Sequence, residues 1–410
     1  HFTFRIFSPI HTTFAANIQC MQQLILSQGR TKSILNRHPW LFSGGVHQCK
    51  ASEGEMVAVT KHNGELMGYG FYSTGSQIAC RMFEWTLTEK PVETPAYWKA
   101  KLEEAIELRN KLIDQTNTNC FRLIHAEGDN FPGLIIDKYN DVLVIQPLTK
   151  GMEQLMPMIS DLLLELGFPY QYLKVKQSSA QLERVSLSTG WLKEEHDILI
   201  EVVEHGIRFN IDVESGQKTG FFIDQRENRN IVKTYSKNKA VLNAFSYTGG
   251  FSLYALAGGA HRVHSVDISK QAIELANELV DLNFKNAPHT GVVADCFDYL
   301  GDMPDDFYDI IILDPPAFAK NKRAVANASR GYKQINLKAM RKIKKGGLLF
   351  TFSCSGNITK DLFQKIVFGA AADAHRHVRI VEQLHQPADH PINIYHPESE
   401  YLKGLLLYVE

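Results

Sequence analysis

Two short segments of this 410-residue chain combine side chains that could hold and attack a planar base: Asp314-Pro315-Pro316-Ala317-Phe318 and Ser353-Cys354-Ser355. Consecutive prolines fix the backbone, so the carboxylate before them and a carbonyl face a cleft and can accept hydrogen bonds from an exocyclic amine. Methyl transfer to a ring or exocyclic nitrogen would need little more than that placement. A cysteine nearby widens the chemistry. Carbon 5 of cytosine is a poor nucleophile until a thiolate adds to carbon 6 and turns the ring into an enamine. Cys354 is therefore the candidate nucleophile and Asp314 the candidate partner of the base. Cys296, just beyond Asp295, is the weaker thiol. Taken as a lone residue, Cys354 reads equally well as core, because cysteine is among the most buried residue types.

Such chemistry needs a donor, and the stretch Ala240–Asp267, AVLNAFSYTGGFSLYALAGGAHRVHSVD, reads as a βαβ unit that could hold one. Gly249-Gly250 stands where a strand hands over to a helix, so backbone N–H groups can approach a ligand closely. Asp267, roughly 20 residues on at the end of the second strand, is placed to accept ribose hydroxyls, with Ser269 beyond it. The turn lacks G-x-G-x-x-G, which disfavours a pyrophosphate and favours S-adenosylmethionine (SAM). A βαβ unit with no ligand is the plain alternative. Gln217-Lys218-Thr219 invites a P-loop reading, which fails because Gln217 stands where glycine is required.

Helix SKQAIELANELVDLN and the apolar runs HTGVVAD, YDIIILD, KGGLLFTFSCS, RIVEQLHQ and KGLLLYVE complete an alternation that predicts a doubly wound α/β sheet. Ligands bind at the carboxyl ends of strands in such sheets, which gathers Phe245-Ser246-Tyr247, Thr248, Asp267, Asp295, Asp314 and Cys354 on one rim. The basic segment AKNKRAVANASRGYKQINLKAMRKIKKGG follows the D-P-P motif. Lys320, Lys322, Arg323, Arg330 and Lys333 there predict phosphate contacts, and its distal lysines a solvated helix face.

Residues 1–20 carry no basic-then-apolar leader pattern and are read as an extension ahead of Met21. Residues 21–94 show short glycine-rich strands that predict a small β-barrel. Residues 95–190 read as a central α+β domain, opening on a helix whose apolar face is Trp98, Leu102, Ala105, Ile106 and Leu112 or Ile113. Residues 191–410 hold a leading β-hairpin and the doubly wound sheet. Six cysteines without C-x-x-C or Cys/His spacing indicate neither a metal site nor a disulfide framework, and reduced thiols in a cytoplasm are expected. No apolar run is long enough for a membrane span. The net charge of −1 excludes wholesale coating of nucleic acid but not a basic patch.

GRTKSILNRHPWLFSGGV with GELMGYGFYSTGSQIACRMF resembles a PUA domain, and the resemblance implies RNA contacts at Arg30, Lys32, Arg37 and His38. GQKTGFFIDQRENR, NAFSYTGGFSLYALAGGA, DPPAFAKNK and FSCSGNIT extend it over nearly the whole chain. It is to the PUA-containing class I SAM-dependent methyltransferases that make 5-methylcytosine in large-subunit ribosomal RNA. The resemblance implies a terminal antiparallel strand, SAM as cofactor and large-subunit rRNA as partner, with a homodimer compatible. It implies that GQKTGFFIDQRENR, with Gln225 and Arg226, covers the methionine end of SAM together with Phe245 to Gly249. Asp267 would hold the ribose, Asp295 the adenine amine with Cys296 beside it, Asp314 the target base, and Cys354 would attack; Asp314 and Pro315 would also contact the cofactor. Two alternatives stay open: a guanine-N7 or other nitrogen methyltransferase, which needs no cysteine, and an RNA-binding assembly protein without turnover. A nicotinamide oxidoreductase is more distant.

Overall fold

Strands of the first third close on one another around Leu24, Leu26, Val57, Val59 and Met82, and the two longest, Leu66–Tyr72 and Ile78–Glu84, are buried through their middle residues. In the computed structural model, which describes residues 21–175, 183–319 and 321–410, these are β1 (Gln23–Leu26), β2 (Trp40–Phe42), β3 (Val46–Cys49), β4 (Met56–Thr60), β5 (Leu66–Tyr72) and β6 (Ile78–Glu84). Their order is β2-β6-β5-β4-β1-β3, with β1 and β4 parallel. The extension expected over residues 1–20, and Lys320, lie outside the described residues.

A helix at Pro95–Leu112 opens the central domain, with Thr94 capping it and proline at its first position. Trp98, Leu102 and Ala105 are buried as expected, but the next buried member of that face is Arg109. Asp129 makes this tolerable by accepting two guanidinium hydrogen bonds of 2.7 Å. The helix packs on β7 (Cys120–His125) of a sheet that also holds β8 (Leu134–Tyr139), β9 (Val142–Pro147), β10 (Tyr170–Leu173) and β11 (Gly190–Trp191), in the order β11-β10-β9-β8-β7. The boundary expected after Gly190 therefore divides the two residues of β11. Next comes a hairpin of β12 (Leu199–Glu204) and β13 (Ile207–Asp212), turned by His205 and Gly206, both at positive φ.

The last sheet holds β14 (Ala240–Ala244), β15 (Arg262–Asp267), β16 (His289–Val293), β17 (Ile310–Leu313), β18 (Gly347–Ser353), β19 (Val378–Leu384) and β20 (Lys403–Val409). Its order is β16-β15-β14-β17-β18-β20-β19. Strands β14 to β18 pair in parallel, and β20 inserts antiparallel between β18 and β19. β14 and β17 are buried along their whole length, as parallel strands covered by helices on both faces must be. The order reverses at β14 and β17, which opens a crevice at their carboxyl ends.

The connection from β19 to β20 reaches back to the central domain. Arg226 donates to both carboxylate oxygens of buried Asp389 at 2.9 and 3.0 Å. The same carboxylate accepts Arg122 N–H at 2.8 Å, and the Asp389 carbonyl accepts Arg109 at 2.9 Å. Two domains thus share one satisfied polar network. Among the described residues no helix is long and apolar enough to cross a membrane, and no group of three His, Cys, Asp or Glu could hold a metal.

Candidate active site

Where β14 ends, the chain turns through Phe245 at φ 59°, Tyr247 at φ 47° and Gly249 at φ 79° before the helix Gly250–Ala257 begins. Left-handed backbone at two aromatic residues is strained, so something must hold it. Asp267 accepts Tyr247 N–H at 2.9 Å, and the Cys296 sulfur accepts Phe245 N–H at 3.1 Å. Cys296 in turn donates to the Val266 carbonyl at 3.4 Å, and burial pushes its thiol up to about 12. Both sides of that thiol are spent on backbone.

The turn, the strand ends and the 217–225 segment enclose a cavity of about 340 Å³. Gln225, Phe245, Tyr247, Asp267, Ser269, Asp295, Cys296, Asp314, Pro315 and Cys354 all line it. Thr248 instead lines an adjoining cavity, and Gly249 caps the following helix. A Cβ on Gly249 would lie 3.0 Å from that of Ala276. Arg226, expected at the cofactor, is elsewhere: its guanidinium is buried and committed to Asp389. Phe222 lines the cavity, whereas Phe221 is buried beneath the Arg229 guanidinium at 4.6 Å.

These residues fit SAM. Asp267 also accepts Ser269 N–H at 2.9 Å and keeps lone pairs for two ribose hydroxyls. Asp295 caps its helix through one oxygen, to Phe297 N–H at 2.7 Å and Asp298 N–H at 3.2 Å, leaving the other for an amine.

At the far end of the cavity the D-P-P segment and the Ser-Cys-Ser turn are tied together. Ser355 Oγ accepts Ala319 N–H at 3.2 Å and meets Tyr332 OH at 3.0 Å. Lys403, opposite Ser353 on β20, is buried and donates to the Ser355 carbonyl at 2.8 Å, so its ammonium brackets Cys354. Burial lowers this ammonium to about 8 against the opposing pull of Cys354. Cys354 itself is half-buried, open to the cavity, and pushed up to about 11 by burial and by Asp314. Asp314 faces the cavity with protein on its other sides. Burial and the neighbouring Asp224 charge raise its carboxyl to about 7.

Asp224 was not singled out by the motifs, and neither was Tyr401. Lys218 and Tyr401 OH donate to Asp224 Oδ2 at 2.7 and 2.8 Å. Burial works to raise this carboxyl, but Lys218 and His390 outweigh it and hold it well below the usual carboxylate range.

Arg30, Lys32 and Arg37 are exposed on the barrel, and His38 is half-buried with Glu398 at 3.5 Å. Lys322, Arg323 and Arg330 are exposed beside the D-P-P segment. Lys333 differs from these in that its ammonium pairs with Asp373 at 2.8 Å across two helices. Lys338 likewise donates to the Phe297 carbonyl at 2.7 Å.

Residues 177–407 match the family model of S-adenosylmethionine-dependent methyltransferases, and residues 24–85 match a PUA-like domain. Two solved structures share the fold at 24% identity, each covered completely and spanning 95% of this chain. One, at TM-score 0.81, was solved with S-adenosylhomocysteine; the other, at 0.80, is assigned as a SAM-dependent methyltransferase from Streptococcus mutans. Fold and match together define the class: a SAM-dependent methyltransferase of the class I fold with an N-terminal PUA-like barrel. Ribosomal RNA large subunit methyltransferase I of Escherichia coli is 40% identical over 389 residues, which is 93% of this chain and 98% of that protein. The Shigella dysenteriae protein of the same name is equally similar, with 97% covered. The chain belongs to the family of these proteins.

Proposed function

We propose that this enzyme transfers the SAM methyl group to carbon 5 of a cytosine in large-subunit ribosomal RNA, through a covalent adduct with Cys354. The single observation that carries the reading is that Cys354 and Asp314 line the same cavity as Asp267. Bound SAM supplies an electrophilic methyl group on a sulfonium. The Cys354 thiolate adds to carbon 6, and the Asp314 carboxyl gives its proton to N3 as charge builds there. Carbon 5 then takes the methyl group, its proton leaves to solvent, N3 returns its proton to Asp314, and the carbon 6–sulfur bond breaks to release the Cys354 thiolate. Lys403 and Lys218 supply positive charge that favours the thiolate. A target base inside a duplex must first be flipped out, at a cost of a few kcal/mol.

The barrel residues Arg30, Lys32 and Arg37, with Lys322, Arg323 and Arg330, are proposed to hold phosphates. A second reading, methylation of guanine N7, draws on the Cys354 thiol at about 11, since nitrogen methylation needs no thiolate. Bisulfite mapping together with nucleoside mass spectrometry of ribosomal RNA from cells with and without the gene tests both. The account expects one cytosine protected only when the gene is present, and loss of a 7-methylguanosine instead would favour the second reading.

A further inference from the structure

Asp224 is 3% exposed, lines the cavity beside Asp314, and has one oxygen, Oδ1, with no hydrogen-bond partner in the chain. Its other oxygen is doubly satisfied by Lys218 and Tyr401. A buried carboxylate oxygen left unpaired is costly unless a ligand completes it. The site therefore lacks a hydrogen-bond donor.

The two neighbouring carboxyls differ in protonation. Asp224 is kept ionised by Lys218 and accepts only, whereas Asp314 is raised far enough to carry a proton and donate. One acceptor beside one donor complements the edge of cytosine, where the exocyclic amine at carbon 4 donates and N3 accepts. Uracil presents the reverse pattern, with an oxygen at carbon 4 and a proton on N3. It would meet Asp224 as acceptor against acceptor. We propose that Asp224 reads the exocyclic amine of the target base and thereby separates cytosine from uracil, an assignment that rests on cytosine being the substrate.

The full-length enzyme, SAM and ribosomal RNA fragments carrying 5-fluorocytidine or 5-fluorouridine at the mapped position test this. The fluorine blocks loss from carbon 5, so the adduct persists and can be counted on a denaturing gel. Wild type is expected to trap 5-fluorocytidine only. In Asp224→Asn, trapping of 5-fluorocytidine should fall on the order of 100-fold, and the preference for it over 5-fluorouridine should shrink at least as much, with SAM affinity within about twofold. Unchanged trapping and preference in Asp224→Asn overturns the assignment. A parallel loss of SAM affinity also overturns it, by giving Asp224 to the cofactor. Should that variant not fold, wild type with N4,N4-dimethylcytidine, which has no amine proton, decides: no methylation is expected, and methylation at the cytidine rate refutes the proposal. A wild type that traps neither RNA and makes 7-methylguanosine removes the cytosine reading and this assignment together.

Discussion

In the proposed mechanism Asp314 and Cys354 react in the opposite ionisation states from those they favour at high pH and low pH respectively. The productive form carries a proton on Asp314, at about 7, and none on Cys354, at about 11. Below pH 7 only the thiolate fraction varies, so kcat/KM should rise about tenfold per pH unit. Between the two values the loss of one form offsets the gain of the other and the profile should be flat, with both breaks belonging to the interacting pair. In Asp314→Asn the residual activity should keep rising past pH 7, and a break that stays at 7 would assign it to another group. The D-P-P and Ser-Cys-Ser segments were legible because proline and a strand end fix where their side chains go. Arg226 was not, because its partner Asp389 stands 163 residues away and no local pattern announces it. Asp224 lies inside GQKTGFFIDQRENR, yet its partner Tyr401 stands 177 residues away.

At the scale of elements, the strand-to-helix turn at Phe245–Gly249 is stabilised by Asp267 and Cys296 against its own backbone strain. Gly249→Ala adds a side chain at φ 79° and crowds Ala276, so it should cost about 1–2 kcal/mol and weaken SAM binding. Thermal melts with and without SAM check this, and an unchanged ligand-induced shift would free the turn of that role. The parallel core strands follow from the alternation of apolar runs and helices, whereas their order in the sheet does not. The central domain was harder to delimit, since β11 is two residues long and belongs to the sheet behind it. Lys333 shows the same limit on a helix: a basic run reads as free charge until a facing helix supplies Asp373.

Across the whole molecule, Asp389 joins the methyltransferase and central domains through buried arginines. Asp389→Ala leaves Arg226 buried without its counterion and should destabilise the fold by about 3–5 kcal/mol in urea unfolding. Burial would raise the Asp389 carboxyl, but His390 and Arg226 hold it well below the ordinary range. Its stabilising contribution is therefore complete above the unfolded aspartate pKa of about 4 and is lost as pH falls through and below it. A variant with the acid sensitivity of wild type would contradict that assignment. The proposed phosphate contacts of the barrel lie farther from the cavity residues in the chain. Replacing Arg30, Lys32 and Arg37 with alanine should lower RNA affinity and reduce its log–log salt slope by about 2–3, with SAM affinity unchanged. An unaltered slope would move the phosphate contacts elsewhere.

The central claim is a thiol that attacks the base across the cofactor cavity. Nucleoside mass spectrometry of ribosomal RNA incubated with SAM and either wild type or Cys354→Ala tests it most directly, alongside SAM affinity for both. The account predicts 5-methylcytidine from wild type, none from Cys354→Ala, and SAM bound equally by the two. Full methylation by Cys354→Ala would contradict it.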